Sequence, residues 1–427
     1  MHSARWRTNR WPGKHWIPSP TGLEHLPALG VQAVRGRFEG RVWEYNPHLY
    51  APAAYRKACR YRAFVPDPLE GDRFSVPGEL LGVISDAEDA IRRLNSSASP
   101  ALAPLARLLL RTESIASSKV EGMAVDARSL ARAEAKADLG ANASATAQEV
   151  LANIDAMTFA VEEAAADDRL SIERVVDIHR VLMQNSPRAE IAGRIREEQN
   201  WIGGNDYNPC GADFVPPPEW EVGRLLVDLC QFCNDESLPP LVQAGLAHAQ
   251  FETIHPFNDG NGRTGRALVH VLLRRRGLAP FYVPPISVVL ARNKAAYIDG
   301  LTIYREGDQV TWLERFSVAA AQAAGLAQRY LADAKDLQGS WRQALASSGG
   351  PPRADATAWA LIDVLVGQPV VNLPVAVALT GRVKSSVNVA IDQLASAGVL
   401  IPLSQSPRNR SWEAAGLLDL VTSLEAG

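Results

Sequence analysis

The feature that most limits how this chain can fold is the stretch 255–266, which reads HPFNDGNGRTGR. An apolar helical pattern runs into His255 and must end there, because the ring of Pro256 cannot continue a helical hydrogen-bond ladder. A glycine-rich loop follows, and a second helical pattern starts at about Arg263. Such a loop leaves the first backbone N–H groups of the next helix free for an anion. The sequence therefore predicts a phosphate site between two helices.

The side chains of this stretch also suit phosphate chemistry. Asp259 offers a hard oxygen ligand for Mg²⁺, and His255 is a residue type that accepts protons near neutral pH. Arg263 and Arg266 stand about one helical turn apart, so both can reach terminal phosphate oxygens. A lone histidine, glycine loop or arginine pair is common in structural segments. Their combination at this spacing predicts a nucleotide site.

The whole stretch resembles the HPFxDGNGRxxR signature of the Fic family. The resemblance extends upstream to residues 248–254 and 200–203, and downstream to Tyr297 and residues 312–316. Residues 63–69 are similar to the N-terminal segment of many Fic proteins. The resemblance therefore covers most of residues 50–340.

This resemblance implies a mainly α-helical Fic core with a β-hairpin flap, and the transfer of AMP from ATP to a Ser, Thr or Tyr hydroxyl of a target protein or of the chain itself. It implies that His255 is the base, that Asp259 binds the Mg²⁺ cofactor and that Phe257 packs in the core. The implied nucleotide-binding residues are Gly260, Asn261, Gly262, Arg263, Gly265, Arg266 and Tyr297.

The segment at about 199–215 would be the flap, which aligns a target segment by main-chain pairing. We predict strands at 199–202 and 212–215, on either side of a Gly-rich turn. The implied target-binding residues are Asn200, Trp201, Ile202 and Gly203.

A second motif lies upstream, where Ser117, Glu121 and Gly122 resemble the family's inhibitory motif [S/T]xxxE[G/N]. By itself this pattern is also a common helix end with a glycine C-cap. In a Fic protein it implies an inhibitory helix at about 105–122, whose Glu121 pairs with Arg266 and displaces the γ-phosphate. In some relatives the same glutamate helps remove AMP, so a phosphodiesterase is an alternative activity.

Residues 351–427 follow a Gly- and Pro-rich linker and read helix, helix, helix, wing, which resembles a winged helix-turn-helix domain. Its cations concentrate at the recognition helix, with Arg382 and Lys384, and on the wing, with Arg408 and Arg410. Because the module as a whole is close to neutral, DNA binding, target docking and homodimerisation all stay open. A nucleotide-sensing transcriptional regulator is thus the alternative to an enzyme.

The remaining predictions concern the domain boundaries and the compartment. We predict an irregular N-terminal segment at 1–95 and a core at 96–346. The four cysteines predict no disulfide framework, and Cys230 and Cys233 lie on an apolar helical stripe, which indicates burial. With a net charge of −3 and no apolar run near 20 residues, the chain is predicted to be cytoplasmic, without a membrane partner.

Overall fold

The computed structural model describes residues 36–69, 74–96, 103–137, 144–348, 350, 352–403 and 410–426. Within these ranges the chain is mainly helical, with two small sheets. The whole of segment 1–35, parts of the linker and the wing residue Arg408 lie outside the described residues.

The described chain begins with an antiparallel hairpin of β1 (Gly36–Trp43) and β2 (Cys59–Pro66), followed by helix α1 (Gly78–Ser96). Helix α1 corrects the prediction that 1–95 is irregular. Its apolar residues recur every three or four positions, and this stripe is buried where the helix packs on the long helix that ends the core. The buried stripe consists of Leu80, Ile84, Ala87, Ile91 and Leu94.

Ten helices form the core: α2 (Ala103–Val120), α3 (Ala127–Ala137), α4 (Ala145–Glu162), α5 (Ile172–Met183), α6 (Glu219–Cys233), α7 (Pro240–Ile254), α8 (Asn261–Arg275), α9 (Ile286–Arg292), α10 (Lys294–Arg305) and α11 (Gln309–Ser347). Helix α7 is buried on all sides and α8 on most, because neighbouring helices surround them. Cys230 and Cys233 are buried and free on α6, as their spacing predicts.

The C-terminal region contains α12 (Thr357–Leu365), β3 (Val370–Asn372), α13 (Leu373–Thr380), α14 (Lys384–Ser396), β4 (Leu400–Pro402), β5 (Ser411–Ala414) and α15 (Leu417–Ala426). Its three strands pair in the order β3-β5-β4. The region packs on the core: Trp341 of α11 donates to the carbonyl of Ala415, and Arg128 of α3 pairs with Glu413. A Cβ at Gly367 would collide with the backbone of Pro104 in α2.

Two predictions about the flap and the cysteines are wrong. In place of two strands, the flap has a single bridge between Ile202 and Phe214. Side-chain hydrogen bonds organise the loop between them, because the Asn205 carboxamide oxygen accepts from the backbone of Tyr207 and Asn208. Cys59 at the start of β2 and Cys210 in the flap form a disulfide. This bond removes the basis for placing the chain in a reducing compartment.

None of the helices within the described ranges is long and apolar enough to cross a membrane.

Candidate active site

The loop between α7 and α8 has an unusual backbone at both ends. His255 lies in the left-handed region, with φ 50° and ψ 61°, and among the described residues it is the one non-glycine residue with positive φ. This conformation costs about 1–2 kcal/mol for a residue with a Cβ. Gly260 also has positive φ, which glycine adopts freely, and it directly precedes α8. The chain thus turns at His255 and again at Gly260, and α8 begins directly after the second turn.

The Asn261 side chain holds this loop from inside. Its carboxamide oxygen accepts from the Phe257 N–H at 2.9 Å, and its Nδ2 donates to the Phe257 carbonyl at 2.7 Å. Asn261 therefore shapes the loop with its side chain, and its backbone N–H stays at the helix start. No described side chain caps that start, so the first N–H groups of α8, including that of Gly262, are available to an anion.

Phe257 is fully buried, and its ring stacks on His179 of α5 with centroids 3.8 Å apart. Nδ1 of His179 accepts from the Gly193 N–H, so Nε2 carries the proton and donates to the Asp259 carbonyl at 3.1 Å. Burial lowers the pKa of His179 to about 4, which keeps this neutral tautomer at pH 7. His179 therefore holds the loop at two points, the Phe257 ring and the Asp259 carbonyl.

His255 has the protonation state that a base needs. Burial lowers its pKa to about 4, and the positive charges of Arg196 and Arg305 act in the same direction. The imidazole is therefore neutral at pH 7. Its Nδ1 is buried, so a target hydroxyl would approach the ring at Nε2.

Arg263 is a buried cation with unused donors. Its side chain is 3% exposed, and neither Nε nor Nη1 has a hydrogen-bond partner among the described residues. Buried charged donors are costly when unpaired. A phosphate at the start of α8 would satisfy them and would complement the helix N-terminus.

Asp259 is the acidic residue of the loop, and its side chain is 43% exposed. One carboxylate oxygen accepts from the Gly260 N–H at 2.6 Å, and the other lies 3.3 Å from Nη1 of Arg188. The described residues contain no group of three or more His, Cys, Asp or Glu side chains that could hold a metal. The Asp259 carboxylate is a hard oxygen donor of the type that Mg²⁺ takes, and its partial exposure leaves room for phosphate oxygens and water.

The residues of the upstream motif meet Arg266 directly. Glu121 lies just after α2, and its carboxylate accepts from Nη2 of Arg266 at 2.8 Å. Ser117 accepts from the same guanidinium twice, through its hydroxyl at 2.9 Å and its carbonyl at 2.8 Å. Burial would raise the pKa of Glu121, but Arg266 outweighs it, so the net pKa is lowered and the carboxylate is charged. Gly122, with φ 84°, provides the turn after the helix.

The position of Glu121 overlaps the anion loop. A Cβ added at Gly262 would collide with the Glu121 carboxylate. The carboxylate thus lies against the first turn of α8, where the free N–H groups and Arg266 converge. An acidic side chain here occupies the place that the sequence assigns to phosphate.

The predicted flap residues have different surroundings. The Asn200 amide donates to the carbonyls of His255 and Phe257, at 3.2 and 3.0 Å. Ile202 pairs with Phe214, and the Trp201 indole N–H donates to the Asn205 carbonyl at 2.6 Å. Asn200 and Trp201 therefore have partners within the molecule. Gly203 has φ 74° and lies against Asp213, at a turn that a side chain would strain.

Two residues predicted to bind nucleotide lie in the core instead. Tyr297 is 7% exposed, and its hydroxyl lies 2.9 Å from Nε2 of His248. Gly265 faces inward, where an added Cβ would lie 2.7 Å from the Glu252 carboxylate and 2.9 Å from the Phe251 ring. Gly265, itself in α8, lets this helix approach α7, and Tyr297 contacts α7 from α10; a nucleotide-binding role for either residue stays a prediction.

Sequence reasoning did not find His179 as a site residue. It is a single polar residue in an ordinary helical pattern, and it holds a loop about 80 positions away in sequence. The available signal is a histidine at a buried position. A sequence reveals this burial only when the helices that pack around it are known.

Two family models match this chain. The model described as the Fic/DOC family matches residues 169–273, which include the whole loop between α7 and α8. The model described as Fic/DOC family N-terminal matches residues 81–162, which include α2 and Glu121. This second match starts after residues 63–69, so the similarity of that segment to Fic proteins stays a prediction.

The similar curated proteins include several that are named protein adenylyltransferase. Protein adenylyltransferase fic-1 of Caenorhabditis elegans is 31% identical over 161 residues, 36% of this chain and 28% of that protein. Protein adenylyltransferase Fic of Drosophila erecta is 31% identical over 142 residues, 33% of this chain and 25% of that protein. The chain thus spans little more than a quarter of the length of these relatives.

The similar solved structures include a Fic family protein from Desulfovibrio desulfuricans G20, with a TM-score of 0.49 and 19% identity over 80% of this chain and 98% of that one. Residues 134–508 of Fic-1 from C. elegans give a TM-score of 0.49 and 25% identity over 60% of this chain and 73% of that one.

Proposed function

Because this chain belongs to the Fic/DOC family, we propose that it is a protein adenylyltransferase, which moves AMP from ATP to a hydroxyl side chain of a target protein. The observation that carries the proposal is the meeting of three features at one place: the neutral imidazole of His255, the buried guanidinium of Arg263 with its unused Nε and Nη1 donors, and the uncapped start of α8. A family relationship to proteins named adenylyltransferases supports the same activity.

The reaction follows from these positions. His255 accepts the proton of the target hydroxyl, whose oxygen then attacks the α-phosphorus of ATP. The bond between the α-phosphorus and the bridging oxygen breaks, so pyrophosphate leaves and a phosphodiester remains on the target. The N–H groups at the start of α8 stabilise the charge that develops on the α-phosphate. Arg263 binds the departing phosphates, and Mg²⁺ held by Asp259 would neutralise part of their charge.

We further propose that Glu121 inhibits this reaction. Its carboxylate occupies the guanidinium of Arg266 and lies over Gly262, so ATP cannot place its terminal phosphate there while Glu121 stays. The side chain of Glu121 is about one-third exposed and follows the end of α2. It can therefore move aside without unfolding the helix, whose other contacts are buried.

The C-terminal region supports a winged-helix assignment by its topology. Helices α12, α13 and α14 precede strands β4 and β5, and β3 completes the sheet. The region between β4 and β5 that would be the wing falls largely outside the described residues. We propose this fold for the module and assign it no partner.

The central experiment measures incorporation of label from α-³²P-ATP in the wild type and in the Glu121→Gly variant. We expect the variant to incorporate label at least tenfold faster, because Arg266 becomes free for the γ-phosphate. Adding His255→Ala to the variant should return incorporation to background. Mass spectrometry of the labelled product should show one AMP group.

Two results would count against the proposal. Equal labelling of the wild type and Glu121→Gly would remove the inhibitory role of Glu121. Label that persists after His255→Ala would show that another residue is the base.

A further inference from the structure

Arg196 is a buried arginine that uses backbone carbonyls as its partners. It is 2% exposed, and its guanidinium donates to the carbonyls of His255 at 2.9 Å, Glu198 at 3.0 Å, Pro217 at 2.6 Å and Ile254 at 3.4 Å. Burial lowers its pKa to about 10, so the side chain is charged at pH 7. A buried cation is retained at such a cost only where its donors are well used.

Asn200 contacts the same carbonyl. Its Nδ2 donates to His255 at 3.2 Å and to Phe257 at 3.0 Å. The backbone that starts at Ile195 runs antiparallel to the loop. Ile195 forms a bridge with Phe257, and the Arg196 N–H donates to the Pro256 carbonyl. Segment 195–200 therefore lies along residues 255–257 and leads directly into the flap.

The His255 carbonyl is the point that these donors share. Its direction depends on the backbone angles of His255, which is the described non-glycine residue held in the left-handed region. Two donors on one carbonyl fix this peptide, and the fixed peptide sets the direction of the imidazole. Without them the residue can relax to an ordinary conformation and turn the ring away from the hydroxyl.

We propose that Arg196 and Asn200 are positioning residues that hold the base His255 in its left-handed conformation and join it to the flap. Neither contacts the reacting atoms. The proposal rests on the proposed function, and it assigns Asn200 a role toward the catalytic loop in place of the target contact that the sequence predicts.

The main variant is Asn200→Asp in the Glu121→Gly background. Aspartate keeps the shape of asparagine but has no N–H, and its carboxylate would face two carbonyl oxygens. We expect kcat for AMP transfer to fall at least tenfold, while KM for ATP and for the target changes less than twofold. Arg196→Lys is the second variant, because lysine keeps the charge but cannot span four carbonyls. We expect it to lower kcat in the same way.

Asn234→Asp is the matched control. The Asn234 amide also donates to two carbonyls, those of Leu170 and Cys230, but it lies far from the loop. It should lower the melting temperature and leave kcat unchanged. A loss of kcat that merely follows stability would then appear in both variants.

Hydrogen exchange of the peptide that covers 251–262 gives a readout without catalysis. Asn200→Asp should speed exchange of the amides at 257–261, and Asn234→Asp should not. The proposal is overturned if exchange and kcat are both unchanged, or if KM for the target rises at constant kcat, as a target contact would require. If Glu121→Gly itself transfers no AMP, the proposed function fails, and the exchange result alone decides the positioning role.

Discussion

The loop at 255–266 and the flap lie side by side, yet they are held in different ways. The loop has several bonds within its own length, such as those from Asn261 to Phe257 and from Gly260 to Asp259, in addition to those from His179, Arg196 and Asn200. The flap is fixed by residues more than 140 positions away, through the Cys59–Cys210 disulfide and the pairing of β2 with its end. A site can therefore combine a part that its sequence encodes locally with a part that only the whole fold defines.

The largest expected effect concerns the loop at 255–266, which its own sequence encodes locally. Asp259→Ala in the Glu121→Gly background should lower kcat/KM for AMP transfer at least 10³-fold, or about 4 kcal/mol, because the phosphates lose their metal ligand. Assays over a range of Mg²⁺ concentrations check the cause. The Mg²⁺ concentration for half-maximal activity should rise sharply in the variant, whereas an unchanged value would separate Asp259 from the metal.

Asp259→Ala should leave the structure of the flap unchanged. The Asp259 side chain bonds the Gly260 N–H, contacts the exposed Arg188 and lies 3.9 Å from Nη2 of Arg263, and none of these contacts reaches the flap. The melting temperature should therefore stay within a few degrees of the parent. A large fall would show that the loop depends on Asp259 for its structure.

The second prediction tests the distant part. The Cys59–Cys210 disulfide closes a loop with a sequence separation of 151, and it joins the flap to the N-terminal hairpin. Cys59→Ser should lower the free energy of unfolding by about 3 kcal/mol, since a long closed loop restricts the unfolded chain. Urea denaturation of the oxidised proteins measures this.

Reductant provides the control for the disulfide. It should bring the wild type to the midpoint of Cys59→Ser and leave the variant unchanged, because Cys230 and Cys233 are free thiols in the core. Equal midpoints of the wild type with and without reductant would show that the bond does not stabilise the protein.

The sequence predicts the loop well because its physics is local. Pro256 ends a helix, glycines allow the turn, and a helix start attracts anions, whatever the rest of the fold. The sequence also predicts the pairing of Glu121 with Arg266, and the structure brings these side chains to 2.8 Å. That prediction came from a family motif, since no local rule connects positions 145 residues apart.

The misplaced predictions share a cause. The strands predicted at 199–202 and 212–215 give way to one bridge, because Gln199 and Asn200 turn their side chains toward the carbonyls of neighbouring segments. Tyr297 faces His248 because α10 packs on α7. The disulfide depends on how the hairpin meets the flap. Each outcome is set by contacts between elements, which periodicity and spacing do not encode.

The smallest effect concerns Glu252, a buried carboxyl at the base of the catalytic loop, whose Oε1 has no hydrogen-bond partner among the described residues. Burial raises its pKa to about 7; Arg266 opposes this shift and Glu121 adds to it. The folded state thus binds more protons than the unfolded state between about pH 4.5 and 7, so this group makes stability fall as pH rises through that window.

Glu252→Gln should remove about 2 kcal/mol of this fall between pH 5 and 8. Urea denaturation at several pH values measures the slope, and Glu149→Gln, at a less buried carboxyl, should change it less. Parallel pH profiles of the wild type and Glu252→Gln would show that Glu252 is ionised in the folded protein throughout, and that the base of the loop is more polar than its contacts indicate.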